Sequence, residues 1–181
     1  MWTAIAIIAV ILLYFVAVYN GLVSRRNQVR EAWATIDTQL KRRYDLIPNL
    51  METVSGAAKH EKETLSKVIE ARNAAMTSTN AEERIKNENA LTGTLRSVFA
   101  LSEAYPELKA DTHFNELIGQ LKNIEDEIAS SRKYYNGNVK QFNTKIEVFP
   151  SSIIANLKKF EKKPLYEIDN IEERKNIKVE F

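Results

Sequence analysis

Residues Trp2–Tyr19 read WTAIAIIAVILLYFVAVY, and the chain continues without a break from Asn20 to Ala58 as NGLVSRRNQVREAWATIDTQLKRRYDLIPNLMETVSGAA. In the first stretch only Thr3 falls outside the hydrophobic class, and none of its residues is charged. Its eighteen residues would rise about 27 Å as a helix, close to the roughly 30 Å of bilayer hydrocarbon. Ten Ile, Leu, Val and Phe side chains, each worth about −0.3 to −0.6 kcal/mol at mid-membrane, give an upper insertion propensity of roughly −3 to −6 kcal/mol. Trp2 and Tyr19 stand at the two ends, where aromatic side chains anchor a span to the interfaces. A cleaved signal peptide would need basic residues before the apolar run and small residues at a cleavage site after it. The sequence has neither, so residues 1–23 are read as a retained transmembrane anchor. Arg25, Arg26 and Arg30 follow the span closely, which predicts a cytoplasmic C-terminal part.

Beyond the span, apolar residues recur at Leu22, Val29, Trp33, Ile36, Leu40, Tyr44, Ile47, Leu50 or Met51, Val54 and Ala58. Gaps of mainly three and four make one helical stripe. Its phase is kept across Pro48, so a single kinked helix is expected rather than a break with Pro48 opening a new helix. A second stripe runs through Leu65, Val68, Ile69, Arg72 and Met76. Thr79 with Glu82 resembles a capping box for a third helix carrying Ile85, Leu91, Leu95, Val98 and Phe99, which stops at Pro106. Asp111 or Thr112 can cap a fourth helix with Phe114, Leu117, Leu121, Ile124, Ile128, Tyr135, Val139, Phe142 and Ile146 on one face, interrupted only by Gly137. SIIANLKKF after Pro150 predicts a short amphipathic helix.

All 50 formal charges of the 181 residues lie from Arg25 onward, and their net is only +2. That balance argues against a general nucleic-acid binder, which needs a basic excess to displace counterions. The absence of Cys excludes disulfides, thiolate metal sites and thiol nucleophiles. Five Gly and four Pro are too few turn formers for a sandwich or barrel. The expected fold is all-α: a transmembrane helix (1–23), an antiparallel up-and-down bundle of about four long helices (24–160), and a charged, loosely ordered tail (161–181).

Metal and nucleotide chemistry find little support. His60-Glu61 would need a second histidine where Thr64 stands, and Ala57 and Ala110 occupy the positions three before His60 and His113 where a di-iron bundle needs glutamates. The scattered glycines make no phosphate loop. No cofactor is expected. Polar residues in phase with the apolar stripes carry more information, because charges on a core face must be paired or must emerge at a groove. Glu125 and Arg132 lie among Leu121, Ile128 and Tyr135, while Arg43 and Asn49 adjoin the stripe near Pro48. Two readings stay open: a buried network fixing helix register, or a polar groove for a peptide or small ligand near Arg42, Arg43, Asp45 and Asn49. The basic run Lys41-Arg42-Arg43, offset by Asp37 and Asp45, could instead touch acidic lipid.

The segments Tyr19-Asn20-Gly21-Leu22-Val23, Arg26-Asn27, Ala32-Trp33, Ile36-Asp37, Gln39-Leu40 and Arg42 to Leu50 closely resemble the LemA family. The resemblance resumes at Ala71-Arg72, Glu103-Ala104-Tyr105-Pro106, Phe114, Leu117, Glu125, Arg132, Tyr135-Asn136, Val139, Asn143 and Phe149-Pro150, with Phe142 standing where a tyrosine is expected. It implies a bacterial, membrane-anchored, all-helical protein. It adds Asn136 and Asn143 to the candidate polar set of Arg42, Arg43, Asp45, Asn49, Glu125 and Arg132. The family has no settled activity; one relative is associated with magnetosome membranes, and family genes often lie near those of TPM-domain proteins or a membrane zinc protease. The leading expectation is a non-enzymatic scaffold that contacts lipid through its anchor, self-associates and recruits partners, a membrane protein among them. An adaptor or sensor for membrane proteolysis and envelope stress comes next, and a hydrolase using the polar groove last.

Overall fold

The computed structural model describes residues 1–58 and 60–167. Among these the chain is all-helical: α1 Trp2–Ala57, α2 Lys62–Thr77, α3 Ala81–Ala104, α4 Pro106–Ala110, α5 Thr112–Glu147 and α6 Ser151–Leu157. α1 is one helix of 56 residues, so the apolar run and the amphipathic stripe share a single backbone ladder. Nearly every residue of the run is exposed, with Leu13 at 70%, and full burial begins at Leu22. The stripe positions Val29, Ile36, Leu40, Tyr44, Ile47, Leu50, Met51, Val54 and Ala58 are all buried, as are the nine stripe positions of α5.

Pro48 sits inside α1, as the unbroken stripe predicts. Proline has no N–H, so the carbonyl four residues earlier, that of Tyr44, loses its helical donor. Arg72 of α2 supplies the replacement, its Nε donating to the Tyr44 carbonyl at 2.8 Å. A side chain from the neighbouring helix thereby lets α1 pass through the proline.

The helix ends follow ordinary capping chemistry, with two departures from the sequence reading. The box that opens α3 is shifted by one residue: Asn80, not Thr79, accepts from the Glu83 amide at 2.9 Å, and Glu83, not Glu82, reaches back to the Thr79 amide and hydroxyl at 3.1 Å. Asparagine in extended conformation at the cap position outcompetes the threonine before it. On α2, Ala75 rather than Met76 faces inward, and Met76 is half exposed. Pro106 stops α3 and also opens the short α4, where its missing N–H costs nothing. Asp111 caps α5, its carboxylate accepting from the Phe114 amide at 3.0 Å, and α5 passes through Gly137 unbroken.

The helices divide into two compact units, to each of which α1 and α5 contribute a stretch. One comprises Met1–Thr38 and Ile128–Leu165. Here Trp33 packs edge-on against Tyr135 and Arg25 hydrogen-bonds Gln141, so α1 and α5 run antiparallel. α6 ends in a Schellman motif: the Phe160 amide donates to the Ala155 carbonyl at 2.9 Å and the Lys159 amide to that of Asn156 at 3.1 Å, with Lys159 at φ 53°. The turn brings Phe160 against Tyr19, Phe142 and the Arg26 guanidinium.

The segment from Glu161, expected to be loose, is held in its described part. Asn143 clamps the Lys163 backbone through both amide atoms at 2.9 Å, and the Tyr135 hydroxyl donates to the Pro164 carbonyl at 3.0 Å. The rest of that predicted tail, 168–181, lies outside the described residues. The other unit comprises Gln39–Glu127 with Tyr166 and Glu167, in which α2 and α3 form a helical hairpin joined through Ser78–Asn80.

Candidate functional site

The polar residues of the second unit converge on Arg43. This side chain is completely buried, one α1 residue away from the proline-spanning turn that Arg72 supports. Its Nη2 donates to Glu88 of α3, and its Nη1 to Glu125 of α5 at 2.8 Å and to the Thr92 hydroxyl at 3.0 Å. The Tyr44 hydroxyl donates to the other oxygen of Glu88, so both carboxylate oxygens are occupied. Burial opposes the Arg43 charge, but the fields of Glu125 and then Glu88 outweigh it and hold the guanidinium pKa above its ordinary value. Tyr166, also buried, adds to this field, and the Asn89 side-chain amide pins the adjoining Glu167 carbonyl at 2.8 Å.

With Arg72 holding the Tyr44 carbonyl, the node links α1, α2, α3 and α5. Removing one partner of such a buried pair strands a charge, at a cost of about 3–5 kcal/mol. The pairing therefore acts as a register key: α3 and α5 must present Glu88 and Glu125 at the height of Arg43.

Other members of the predicted set separate into distinct environments. Arg42 is exposed and pairs with Glu127 at 2.9 Å and with Gln39 at 2.9 Å. Asp45 and Asn49 are also exposed. Arg42 and Asp45 line a groove of about 370 Å³ with Leu46, Gln120, Asn123 and Ile124; Asn49 is not among its walls. Arg132, Asn136 and Asn143 belong to the other unit, where Arg132 and Asn136 are half-buried one turn apart on α5 and Asn143 is spent on the Lys163 backbone. Because Arg43 is buried against carboxylates, Lys41-Arg42-Arg43 does not form a three-charge surface run for acidic lipid.

Sequence reasoning missed Glu88, Thr92, Tyr44 and Arg72 as partners. Glu88 carried a legible signal: it falls three residues after Ile85 and three before Leu91, in phase with the α3 stripe. Elsewhere, the Tyr105 hydroxyl donates to Glu61 at 3.1 Å, and that bond raises the Tyr105 pKa. Desolvation pushes the Tyr135 phenol up to about 12. Among the described residues no three His, Asp or Glu side chains are grouped to hold a metal ion.

The exposed apolar stretch at the start of α1, with a buried Arg–Glu node keying the helices of the second unit, defines an all-helical protein with a candidate membrane-crossing segment. The model of the LemA family matches residues 32–181. Protein LemA of Metamycoplasma hominis is 30% identical over 155 residues, an alignment covering 82% of this chain and 69% of that relative. The chain belongs to the LemA family.

Proposed function

We propose that this LemA-family protein is a membrane-anchored, non-enzymatic scaffold that self-associates and recruits partners, a membrane protein among them, at the cytoplasmic surface of a bacterial membrane. One observation carries the reading. All residues from Trp2 to Val16 except the half-buried Phe15 are exposed on a continuous helix, with Ile5, Ile7, Ile8, Val10, Ile11, Leu12, Leu13 and Val16 among them. These eight aliphatic side chains left in water would forgo roughly 12–24 kcal/mol of burial, far beyond what an ordinary domain surface carries. A bilayer removes that cost. The arginines at 25, 26 and 30 favour the cytoplasmic side for the helical units.

Confinement supplies the mechanism. A tether restricts the helical units to a thin layer, raising effective concentration so that weak contacts accumulate into stable assembly without chemistry. Full-length protein in lipid nanodiscs and in mild detergent is expected to show masses above the monomer, and proximity labelling in the native cell should mark membrane-associated neighbours that an anchor-deleted chain does not. A strictly monomeric mass in both environments contradicts self-association. For orientation, the chain has no native cysteine, so a single one introduced near the C-terminus reports its side alone; labelling by an impermeant reagent in intact cells contradicts the cytoplasmic assignment.

A second reading is favoured by the groove beside Arg42 and Asp45, whose opposite charges and amide-bearing wall residues suit a peptide or small zwitterionic ligand. Arg42→Ala with unchanged thermal stability but lost biological effect supports it, and a wild-type effect in Arg42→Ala and Asp45→Ala dismisses it.

A further inference from the structure

We propose that the corner between α5 and α6 is a second membrane contact, with Phe149, Ile153 and Leu157 entering the interfacial layer of the same bilayer that α1 crosses. The inference rests on the anchor reading given above and adds a surface to it. Phe149 is 80% exposed, Ile153 59% and Leu157 65%, outside the apolar run of α1. On α6 the buried residues Ser151, Ile154 and Ala155 share one side, and Ile153 and Leu157, four apart, lie on the other. The element is therefore amphipathic in the reverse sense of a solvated surface helix, with an apolar face turned outward.

Height along α1 identifies what covers that face. The pairs Trp33–Tyr135 and Arg25–Gln141 fix α1 and α5 as antiparallel neighbours in this unit. Six residues back from Arg25 is Tyr19, and six residues on from Gln141 is Glu147, each a rise of about 9 Å. Val148 and Phe149 thus reach the level at which the apolar run ends. The far end of α6 arrives at the same level, because the Lys158 ammonium lies 5.8 Å from the Tyr19 ring and Phe160 packs edge-on against it. Both ends of α6 consequently sit at the height of Tyr19, so the helix lies across the foot of the span rather than along it.

Charge is placed to match. Lys158, Lys159 and Lys163 follow the apolar face directly and are exposed, while Lys162, also exposed, pairs with Glu147. Apolar side chains bedded about 5–10 Å into the headgroup boundary, with lysines on anionic headgroups, are how an interfacial amphipathic helix binds. The Schellman turn at Lys159 and the clamp of Asn143 on Lys163 hold the lysines beside that face.

The cysteine-free chain permits a direct test. Single cysteines at Phe149, Ile153, Leu157, Leu12 and Lys133 are spin-labelled in the full-length protein, reconstituted in nanodiscs of phosphatidylcholine and phosphatidylglycerol. Collisions with oxygen, which enriches in lipid, are compared with those of a water-soluble nickel chelate. Labels at positions 149, 153 and 157 should lose nickel collisions and gain oxygen collisions relative to position 133, at a shallower depth than position 12. If they are as nickel-accessible as position 133 while position 12 is shielded, the second contact is refuted and the anchor stands. If position 12 is itself nickel-accessible, the anchor reading fails and this inference falls with it. Shielding of 149, 153 and 157 from both probes would mean a protein surface covers the corner, which also overturns the lipid assignment.

Discussion

Arg72→Ala tests the way α1 passes through its proline. The Arg72 Nε lies 2.8 Å from the Tyr44 carbonyl, the acceptor that Pro48 leaves without a helical donor, and Tyr44 is only 6% exposed. A hydrogen bond from a charged donor to a buried acceptor is worth about 1.5–3 kcal/mol, so the substitution should destabilise by that amount. Pro48 is itself exposed, which lets Pro48→Ala restore a backbone N–H without disturbing packing. The single change should stabilise, by no more than the ~3 kcal/mol an interior proline costs. In the Pro48→Ala background the Tyr44 carbonyl has its own donor again, and Arg72→Ala should then cost about 1 kcal/mol or less. Urea unfolding of the four chains in mild detergent, followed by circular dichroism, gives the cycle. Other contacts of Arg72, such as the 3.3 Å bond to Asn73, cancel in the difference. Equal costs of Arg72→Ala in both backgrounds, within the ~0.3–0.5 kcal/mol of ordinary additivity, would refute the reasoning.

Three further expectations follow from the same geometry. Glu88→Ala leaves the buried Arg43 Nη2 and Tyr44 hydroxyl without their acceptor, with Glu125 as the remaining carboxylate on Arg43, and should cost about 3–5 kcal/mol, whereas Arg42→Ala, whose pair with Glu127 has side chains 55% and 50% exposed, should cost under ~1 kcal/mol; comparable thermal midpoints for the two would contradict the buried node. Tyr135 holds its proton to about pH 12 in the folded chain against an ordinary value of 10.0, so its contribution is intact below the lower figure and is lost as pH rises towards the upper one. Stability measured across that window should therefore fall more steeply for the wild type than for Tyr135→Phe, and parallel profiles would show that desolvation does not act on this phenol. Lys159 adopts a left-handed backbone, so Lys159→Gly should stabilise the α6 turn by about 1 kcal/mol, checked by the unfolding midpoint; a loss of stability would mean the lysine side chain contributes more than its backbone costs.

Period carried most of the fold. From Val29 to Ala58 and from Phe114 to Ile146, spacing alone named most of the apolar residues that are buried, passing over Ala32 and Ile118, because one face of a long helix must meet a core wherever its neighbours stand. Trp33 is the half-buried member of the first stripe, its ring lying against Tyr135. Period also singled out Arg43 and Glu125 as charges on inward faces, and they pair with each other. It could not supply the rest of the node. A stripe says which side of a helix faces inward, not which of several facing helices meets it at a given height, so Glu88 and Thr92 on α3 had no partner assigned. Arg72 was harder still, because its acceptor is a backbone carbonyl 28 residues earlier whose need arises only from Pro48. The described part of the tail, 161–167, has no period because it is not a helix; it is held by hydrogen bonds to Asn143 and Tyr135, which leave no repeating mark in the sequence.

The most direct measurement is the mass of the native polypeptide recovered from alkali-washed membranes of the cell that makes it. An intact chain that retains residues 2–19 and stays with the lipid is the expected result. A chain found in the soluble fraction, starting after Tyr19, would contradict the anchor and with it the confinement on which the proposed function depends.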